Sequence, residues 1–236
     1  MPGISNVFTR FFRDISHLVY PDNCIVCERE LSELEADICS FCDQNITKTN
    51  FHLFKEPTDL DKLFWGRCKL EFTHSHMFFK KDGASQDVLF SLKYKNNPAL
   101  GVHFGNRIGK ELKQIELFDA VDGIIPVPLH PKKKFIRGYN QSETIAKGIS
   151  DTTEKKLFTK LIQRTKHTET QTKKSRFERW DNVDKVFKVS PEIKKLKHIV
   201  IVDDVITTGS TIENIIQIIK AEHTEIKVSV VTLAIA

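Results

Sequence analysis

The segment at residues 198–221, HIVIVDDVITTGSTIENIIQIIKA, limits the possible folds more than any other part of the chain. Four β-branched residues in succession predict a buried strand, and the apolar spacing of residues 211–221 predicts a helix. Between them we predict a loop that begins at Asp203 and Asp204. A buried strand leading through a short loop into a helix is the repeating unit of parallel α/β sheets, which bind ligands beyond the carboxyl ends of their strands.

Other segments repeat this alternation of strand and helix. Helices are predicted at 86–94, 100–117, 140–149 and 211–221, and strands at 120–127, 157–163, 186–189, 198–202 and 226–236. Residues 64–80 alternate loosely and predict strands or a hairpin. The expected fold class is α/β, with a mostly parallel sheet flanked by helices on both faces.

The composition is that of a folded globular chain with a mildly basic character. Of 236 residues, 40% are hydrophobic and 28% are charged, which excludes an intrinsically disordered class. The net charge of +5 favours anionic partners without choosing among them. Residues 155–179 hold nine Lys and Arg against two Glu, which indicates either an anion-binding segment or a solvated basic surface.

The chain has no apolar run of about 20 residues and no recognisable secretory leader, so we expect a cytoplasmic location. Cysteines are reduced in that compartment, and paired spacings there indicate metal binding or redox chemistry before disulfides. Two CxxC pairs, Cys24 with Cys27 and Cys39 with Cys42, lie eleven residues apart. Four thiolates predict a closed, structural Zn²⁺ site, with a redox CxxC as the alternative. We therefore predict a zinc module at residues 1–65 and an α/β domain at 66–236.

The predicted loop after the buried strand carries groups suited to a phosphorylated sugar. Asp203 and Asp204 accept hydrogen bonds when ionised, which suits the two hydroxyls of a ribose. Small and hydroxyl-bearing residues follow and can surround a phosphate at a helix N-terminus: Thr207, Thr208, Gly209, Ser210 and Thr211. A plain acidic pair capping a helix is the alternative. The whole string resembles the signature of the type I phosphoribosyltransferases, which bind 5-phosphoribosyl-1-pyrophosphate (PRPP).

Three further strings resemble the ComF family of late competence proteins. They are SLKYKNN at 91–97, IIPVPLHPKKKFIRGYNQ at 124–141 and QTKKSRFERWDNV at 171–183. The resemblance implies a zinc module before a phosphoribosyltransferase-like domain and a role in DNA uptake. It also implies diphosphate contacts from Arg137, and less strongly from the neighbouring Lys132, Lys133 and Lys134.

In the type I fold a mobile loop covers PRPP, and it corresponds here to about residues 164–183. The resemblance implies that Lys173 and Arg176 act on the diphosphate from this loop. Asp203, Asp204 and Arg176 are then the candidate catalytic residues, with Mg²⁺ bound alongside PRPP.

Two functions stay open at this point. The chain either transfers a phosphoribosyl group to an unidentified acceptor, or it senses PRPP while binding single-stranded DNA or a competence helicase partner. Aromatic residues lie among the basic ones at Phe135, Tyr139 and Trp180, which is compatible with stacking on bases, although we interpret them as core or loop anchors. His74 and His76 are predicted to share one face of a strand as a surface or satisfied pair.

Overall fold

A computed structural model describes residues 22–165 and 186–236. Its strands are β1 (Thr73–Phe78), β2 (Gly123–Pro126), β3 (Lys156–Leu157), β4 (Ile162–Arg164), β5 (Phe187–Val189), β6 (His198–Ile206) and β7 (Lys227–Ile235). Its α-helices are α1 (Ser40–Gln44), α2 (Asp59–Leu63), α3 (Ala84–Tyr94), α4 (Pro98–Leu112), α5 (Pro131–Arg137), α6 (Gln141–Thr153) and α7 (Ser210–Glu222). Short 3₁₀ turns cover Phe51–Leu53, Glu116–Phe118 and Pro191–Lys195.

Five strands form a parallel sheet in the order β1–β7–β6–β2–β3. The central pair, β6 and β7, stays in register from His198 opposite Lys227 to Ile206 opposite Ile235. Strands β4 and β5 form a separate antiparallel pair. The predicted α/β class with a mostly parallel sheet is therefore confirmed.

The sheet is buried on both faces because its strands are apolar at successive positions. In β6, Val200 and Val202 contact one core, to which α4 and α6 contribute, while Ile199 and Ile201 contact a second core that includes α7. Burying one such side chain contributes about 1.5 to 3 kcal/mol. The unbroken apolar run of this strand thus corresponds to a sheet covered by helices on each side.

Helices α4 and α6 pack closely on one face of the sheet. A Cβ on Gly105 would lie 2.2 Å from the carbonyl oxygen of Ile145 and 2.9 Å from Gly148. Only glycine fits this position, so the two helix backbones meet here directly. This pairing positions the first turn of α6 at the carboxyl edge of the sheet.

The cysteine-bearing segment packs against the same helices. Ile38, Cys42 and Ile46 belong to one hydrophobic core with residues of α3 and α4. Arg107 of α4 donates two hydrogen bonds to Asp43, with 2.5 and 2.8 Å between the paired atoms. The division into domains at 1–65 and 66–236 stays a prediction.

Several predicted boundaries are wrong, and the largest error concerns β6. This strand continues through the acidic pair to Ile206, because Asp203 lies opposite Thr232 and Val205 opposite Ala234 in the parallel ladder. The loop therefore begins at Thr207 rather than at Asp203. Both carboxylates project from a regular strand, whose hydrogen bonds hold the backbone beneath them.

Three other segments differ from the helices and strands predicted for them. The helix predicted at 100–117 ends at Leu112 and is followed by the 3₁₀ turn Glu116–Phe118. The strand predicted at 157–163 is two strands, β3 and β4, in different sheets. Residues 64–80 contain one strand, β1, paired in parallel with β7 rather than in a hairpin. Among the described residues, none of the helices combines the length and apolar character needed to cross a membrane.

Candidate functional site

The acidic pair lies at the carboxyl end of the central strand β6. The Ser142 hydroxyl at the start of α6 donates to Asp203 Oδ1 at 2.9 Å, and the Asp204 N–H donates to the same oxygen at 2.9 Å. Asp204 Oδ2 is 3.2 Å from Lys93 Nζ at the end of α3. Two helices distant in sequence thus hold the two carboxylates.

The two carboxylates differ in their electrostatic environment. Burial, together with the neighbouring charge of Asp204, raises the pKa of Asp203 to about 7, although the bonds from the Asp204 N–H and Ser142 and the charge of Lys93 oppose the rise. Burial and the adjacent carboxylate therefore favour the protonated form of Asp203, while Lys93 offsets the charge of Asp204. A ligand that supplies hydroxyl donors or a cation would stabilise the ionised pair.

Contacts from outside the loop after β6 hold its backbone in place. Arg67 Nη1 donates to the carbonyl oxygen of Thr208 at 2.7 Å, and its guanidinium also pairs with Glu213 in the first turn of α7. Gly209 caps α7 with a φ of +72°, and a Cβ there would lie 3.0 Å from the Phe64 ring. Left-handed backbone and this contact together favour glycine at position 209.

The hydroxyl side chains of the loop are available to a ligand. Thr207, Thr208, Ser210 and Thr211 are exposed, whereas Gly209 is buried. The Thr208 and Ser210 hydroxyls are 2.8 Å apart. They stand at the N-terminus of the 13-residue helix α7, where backbone N–H groups and the helix dipole favour an anion.

Lys93 and Ser142 contribute to this site, but our sequence analysis did not single them out. Lys93 lines a pocket of about 300 Å³ with Thr207 and Val205, and a second pocket of about 360 Å³ with Arg137. Both lie in strings that resemble ComF motifs or directly follow them. Neither contact could be predicted from local spacing, because Lys93 and Ser142 are far from Asp203 and Asp204 in the sequence.

Arg137 ends α5 and is already engaged by neighbouring side chains. Its Nη1 donates to Gln141 Oε1 at 2.9 Å, and its guanidinium lies 5.5 Å from the centre of the Tyr94 ring. Lys93 and Arg137 line a common pocket, so α5 and α3 meet close to the acidic pair. The two remaining candidate cations, Lys173 and Arg176, lie outside the described residues.

The aromatic residues near Arg137 behave differently from one another. Phe135 is 90% exposed and Ile136 is 79% exposed, so the interpretation of Phe135 as a core or loop anchor is wrong. Tyr139 is an anchor, because its hydroxyl donates to the carbonyl oxygen of Leu92. Trp180 lies outside the described residues. Helix α5 thus presents two apolar side chains to solvent beside Lys132, Lys133 and Lys134.

The four paired cysteines form a second site about α1. One sulfur from each of Cys24, Cys27, Cys39 and Cys42 lies within 4.8 Å of all the others. The Cys27 and Cys39 sulfurs are 3.7 Å apart, close to the roughly 3.8 Å expected across a tetrahedron with metal–sulfur bonds of about 2.3 Å. The cluster can hold a metal ion.

Backbone donors and burial act in opposite directions on these thiols. Burial alone would raise the pKa of Cys24, but hydrogen bonds from the N–H groups of Cys39, Cys27 and Val26 outweigh it and lower the pKa to about 6. Burial and the adjacent sulfurs raise the pKa of Cys42. Four neighbouring thiolates repel one another, so full ionisation requires a bound cation.

Comparison with known proteins identifies a matching family and named relatives of this chain. A family model described as "Phosphoribosyl transferase domain" matches residues 100–235. The DNA utilization protein YhgH of Escherichia coli strain K12 is 28% identical over 222 residues, covering 86% of this chain and 92% of that protein. Competence protein F of Haemophilus influenzae is 34% identical over 116 residues, covering 48% of this chain and 49% of that protein.

Proposed function

The chain belongs to the ComF family of proteins with a phosphoribosyl transferase domain, and from this premise we propose that it binds PRPP at the carboxyl edge of its sheet. Asp203 and Asp204 accept hydrogen bonds from the two ribose hydroxyls. The observation that carries the proposal is the position of this pair, on the central strand immediately before the loop that begins α7.

The 5-phosphate of PRPP binds in the loop between β6 and α7. Thr207, Thr208, Ser210 and Thr211 are exposed there, and Gly209 keeps the backbone in the left-handed turn that starts the helix. N–H groups at a helix N-terminus favour phosphate through hydrogen bonds and the helix dipole. The carboxylates lie near the end of β6, before the loop begins, where they would repel phosphate but bind a diol.

The diphosphate of PRPP lies towards α5 and α3 in this proposal. Lys93 and Arg137 supply positive charge on that side, because both line one pocket, and Lys173 and Arg176 are proposed to close over the diphosphate. Mg²⁺ is the expected companion of the ligand, since it neutralises phosphate oxygens and takes few protein ligands. Asp203 and Asp204 are the carboxylates that we propose to lie beside such an ion.

Phosphoribosyl transfer is the activity that this arrangement supports. The bond from ribose C1 to diphosphate breaks and its electrons leave with the diphosphate, while the lone pair of an acceptor nitrogen bonds to C1 and that nitrogen loses a proton. Arg176 stabilises the departing charge, and the acidic pair holds the ribose. The acceptor is a nitrogen compound of unassigned identity.

The cellular role that we propose is the handling of incoming DNA in natural transformation. Relatives carry the names DNA utilization protein and competence protein, and this chain shares the domain of the family. The proposed location is the cytoplasm, and the proposed partners are single-stranded DNA and a competence helicase. The cysteine cluster is proposed to bind one structural Zn²⁺, because four sulfurs close the site.

A second candidate function is PRPP sensing without transfer. The exposed Phe135 and Ile136 beside three lysines favour a binding surface for single strands, where aromatic stacking and phosphate neutralisation act together. Diphosphate release in the presence of PRPP and acceptors would favour transfer. Binding of PRPP and single-stranded DNA without release, with DNA affinity falling as salt rises, would favour sensing.

Calorimetry with PRPP, ribose 5-phosphate and inorganic diphosphate tests the proposed site. Asp204→Ala removes a charge-assisted acceptor that contributes about 1.5 to 3 kcal/mol, so PRPP and ribose 5-phosphate should each bind roughly ten- to a hundredfold more weakly. Diphosphate should bind no less tightly. Asp151→Asn is the matched control, because Asp151 pairs with Lys147 on the exposed side of α6. Unchanged PRPP affinity in Asp203→Ala and Asp204→Ala would overturn the site.

A further inference from the structure

A second cluster of metal-binding groups lies away from both sites described above. His52 is in the 3₁₀ turn Phe51–Leu53, His74 is in the edge strand β1, and Glu111 is in the last turn of α4. One ligand atom from each of these three residues lies within 4.8 Å of the other two. The segment before the turn pairs with β1 through the Lys48–Met77 bridge, which brings His52 beside His74.

The imidazoles around Glu111 are ordered but incompletely satisfied. His74 Nε2 is 2.8 Å from Glu111 Oε2, and His76 Nδ1 is 2.8 Å from Glu111 Oε1. Nδ1 of His52, Nδ1 of His74 and Nε2 of His76 are buried and have no hydrogen-bond partner among residues 22–165 and 186–236. The nitrogens of His74 and His76 that face Glu111 are paired with it, so the orphans of these two rings are the opposite nitrogens, whereas His52 has an orphaned nitrogen within the cluster itself. Buried polar atoms are nearly always paired, so this nitrogen indicates a missing partner.

The position of Glu111 favours a cation. α4 ends at Leu112, so this carboxylate stands in the last helical turn, where the helix dipole disfavours negative charge and favours positive charge. The side chain of Glu111 is only 17% exposed, and its hydrogen-bond partners are the fully or almost fully buried His74 and His76. A bound cation would compensate both the carboxylate and the helix terminus.

The cluster borders a surface pocket. His52 is half-buried and lines a pocket of about 770 Å³ together with Thr73 and Gln114. Thr73 precedes His74 in β1, and Gln114 lies just beyond the end of α4. His74 and Glu111 therefore lie behind the pocket wall, and His52 is the member of the cluster that lines the pocket.

We propose that His52, His74 and Glu111 bind a divalent transition-metal ion of the zinc class. Two imidazoles and one carboxylate are the donor set of open zinc sites, which leave a fourth position for water or a ligand. That position would face the pocket lined by His52. His76 is a positioning residue in this arrangement, because its hydrogen bond to Glu111 Oε1 orients the carboxylate.

The test is metal stoichiometry on the full chain. Protein saturated with Zn²⁺ and freed of loosely held ion by dialysis should carry two equivalents, one at the cysteines and one at this cluster. His52→Ala should carry one equivalent, since it removes a half-buried ligand from a surface turn. His223→Ala is the matched control, because His223 ends α7 outside the cluster, and it should retain two equivalents.

Co²⁺ added to protein whose cysteines are already loaded with Zn²⁺ gives an independent readout. The second equivalent should produce visible absorption without thiolate charge-transfer bands, and His52→Ala and Glu111→Gln should each lose that absorption. One equivalent of Zn²⁺ in the unmodified chain would overturn the proposal. Two equivalents in His52→Ala, or thiolate bands for the second Co²⁺ ion, would also overturn it.

Discussion

The cysteine cluster and the acidic site are built in opposite ways. The four cysteines fall between positions 24 and 42, and short turns plus one helical turn bring their sulfurs together. The acidic site joins a central strand to α3 and α6, and the Ser142–Asp203 bond spans 61 positions of the chain. One site is local, whereas the other exists only when the sheet and its helices have packed.

This difference determines what each site needs for its stability. A short polar segment with four thiols would depend on a bound metal ion, because unscreened thiolates repel and little apolar surface is available to the segment alone. The carboxylates of the acidic site are held by a strand that is buried on both faces. Changes at the first site should therefore affect local folding, and changes at the second should affect ligand binding and its pH dependence.

The largest effect is expected from Cys39→Ser. Loss of one of four thiolates should lower metal affinity by more than the roughly 10- to 100-fold typical of outer-shell changes and should lower the thermal stability of the N-terminal segment. PRPP binding should change little. Elemental analysis and calorimetry measure the two outcomes. Cys68→Ser is the control, because Cys68 is a half-buried cysteine outside the four-cysteine cluster. Equal losses of metal and PRPP binding would show that the two sites are not independent.

The next effect is expected from Lys93→Met. The Lys93 charge favours the ionised form of Asp203, so its removal should raise the pKa of that carboxyl further. PRPP affinity at pH 7 should then fall roughly tenfold, within the range for a charged hydrogen-bond partner. Calorimetry at several pH values should show the loss diminishing at higher pH. A loss of the same size at every pH would show that Lys93 acts through its charge on the diphosphate alone and not through Asp203.

A smaller effect is expected on the pH dependence of the free energy of unfolding. Asp203 has a pKa raised from 3.8 to about 7, so the folded chain holds this proton more tightly than the unfolded chain. Its contribution to stability is present below about pH 4 and is lost as pH rises through 7. Asp203→Asn should therefore flatten the decline in the free energy of unfolding between pH 5 and 8, measured by urea denaturation. Asp151→Asn should leave that decline unchanged.

The smallest effect is expected from Thr208→Val. This change removes one exposed hydroxyl but keeps the backbone N–H groups, Gly209 and the Arg67 contact that support the loop. A neutral hydrogen bond contributes about 0.5 to 1.5 kcal/mol, so affinity for ribose 5-phosphate should fall only a few-fold. A loss as large as that of Asp204→Ala would place the phosphate on the side chains rather than on the backbone.

Much of the fold could be predicted from the periodicity of apolar residues and from the turn residues between the periodic segments. The run of β-branched residues in β6 and the apolar spacing of α7, at Ile212, Ile215 and Ile219, indicated strand and helix directly. The end of β6 was missed, because Asp203 and Asp204 look like loop residues until β7 is seen to pair with them. The residue at which a strand ends depends on the neighbouring strand with which it pairs. A single sequence does not show which residues of the two strands lie opposite one another.

By itself, the sequence determined the fold class, the family and the grouping of the four cysteines, because periodicity, motif strings and short spacings are local properties. Only the tertiary structure decided which cations accompany the acidic pair, that Phe135 faces solvent, and that His52 meets His74 and Glu111. The physical reason is the same in each case. These contacts join segments far apart in the chain, and their free energy appears only when the packed sheet brings the segments together.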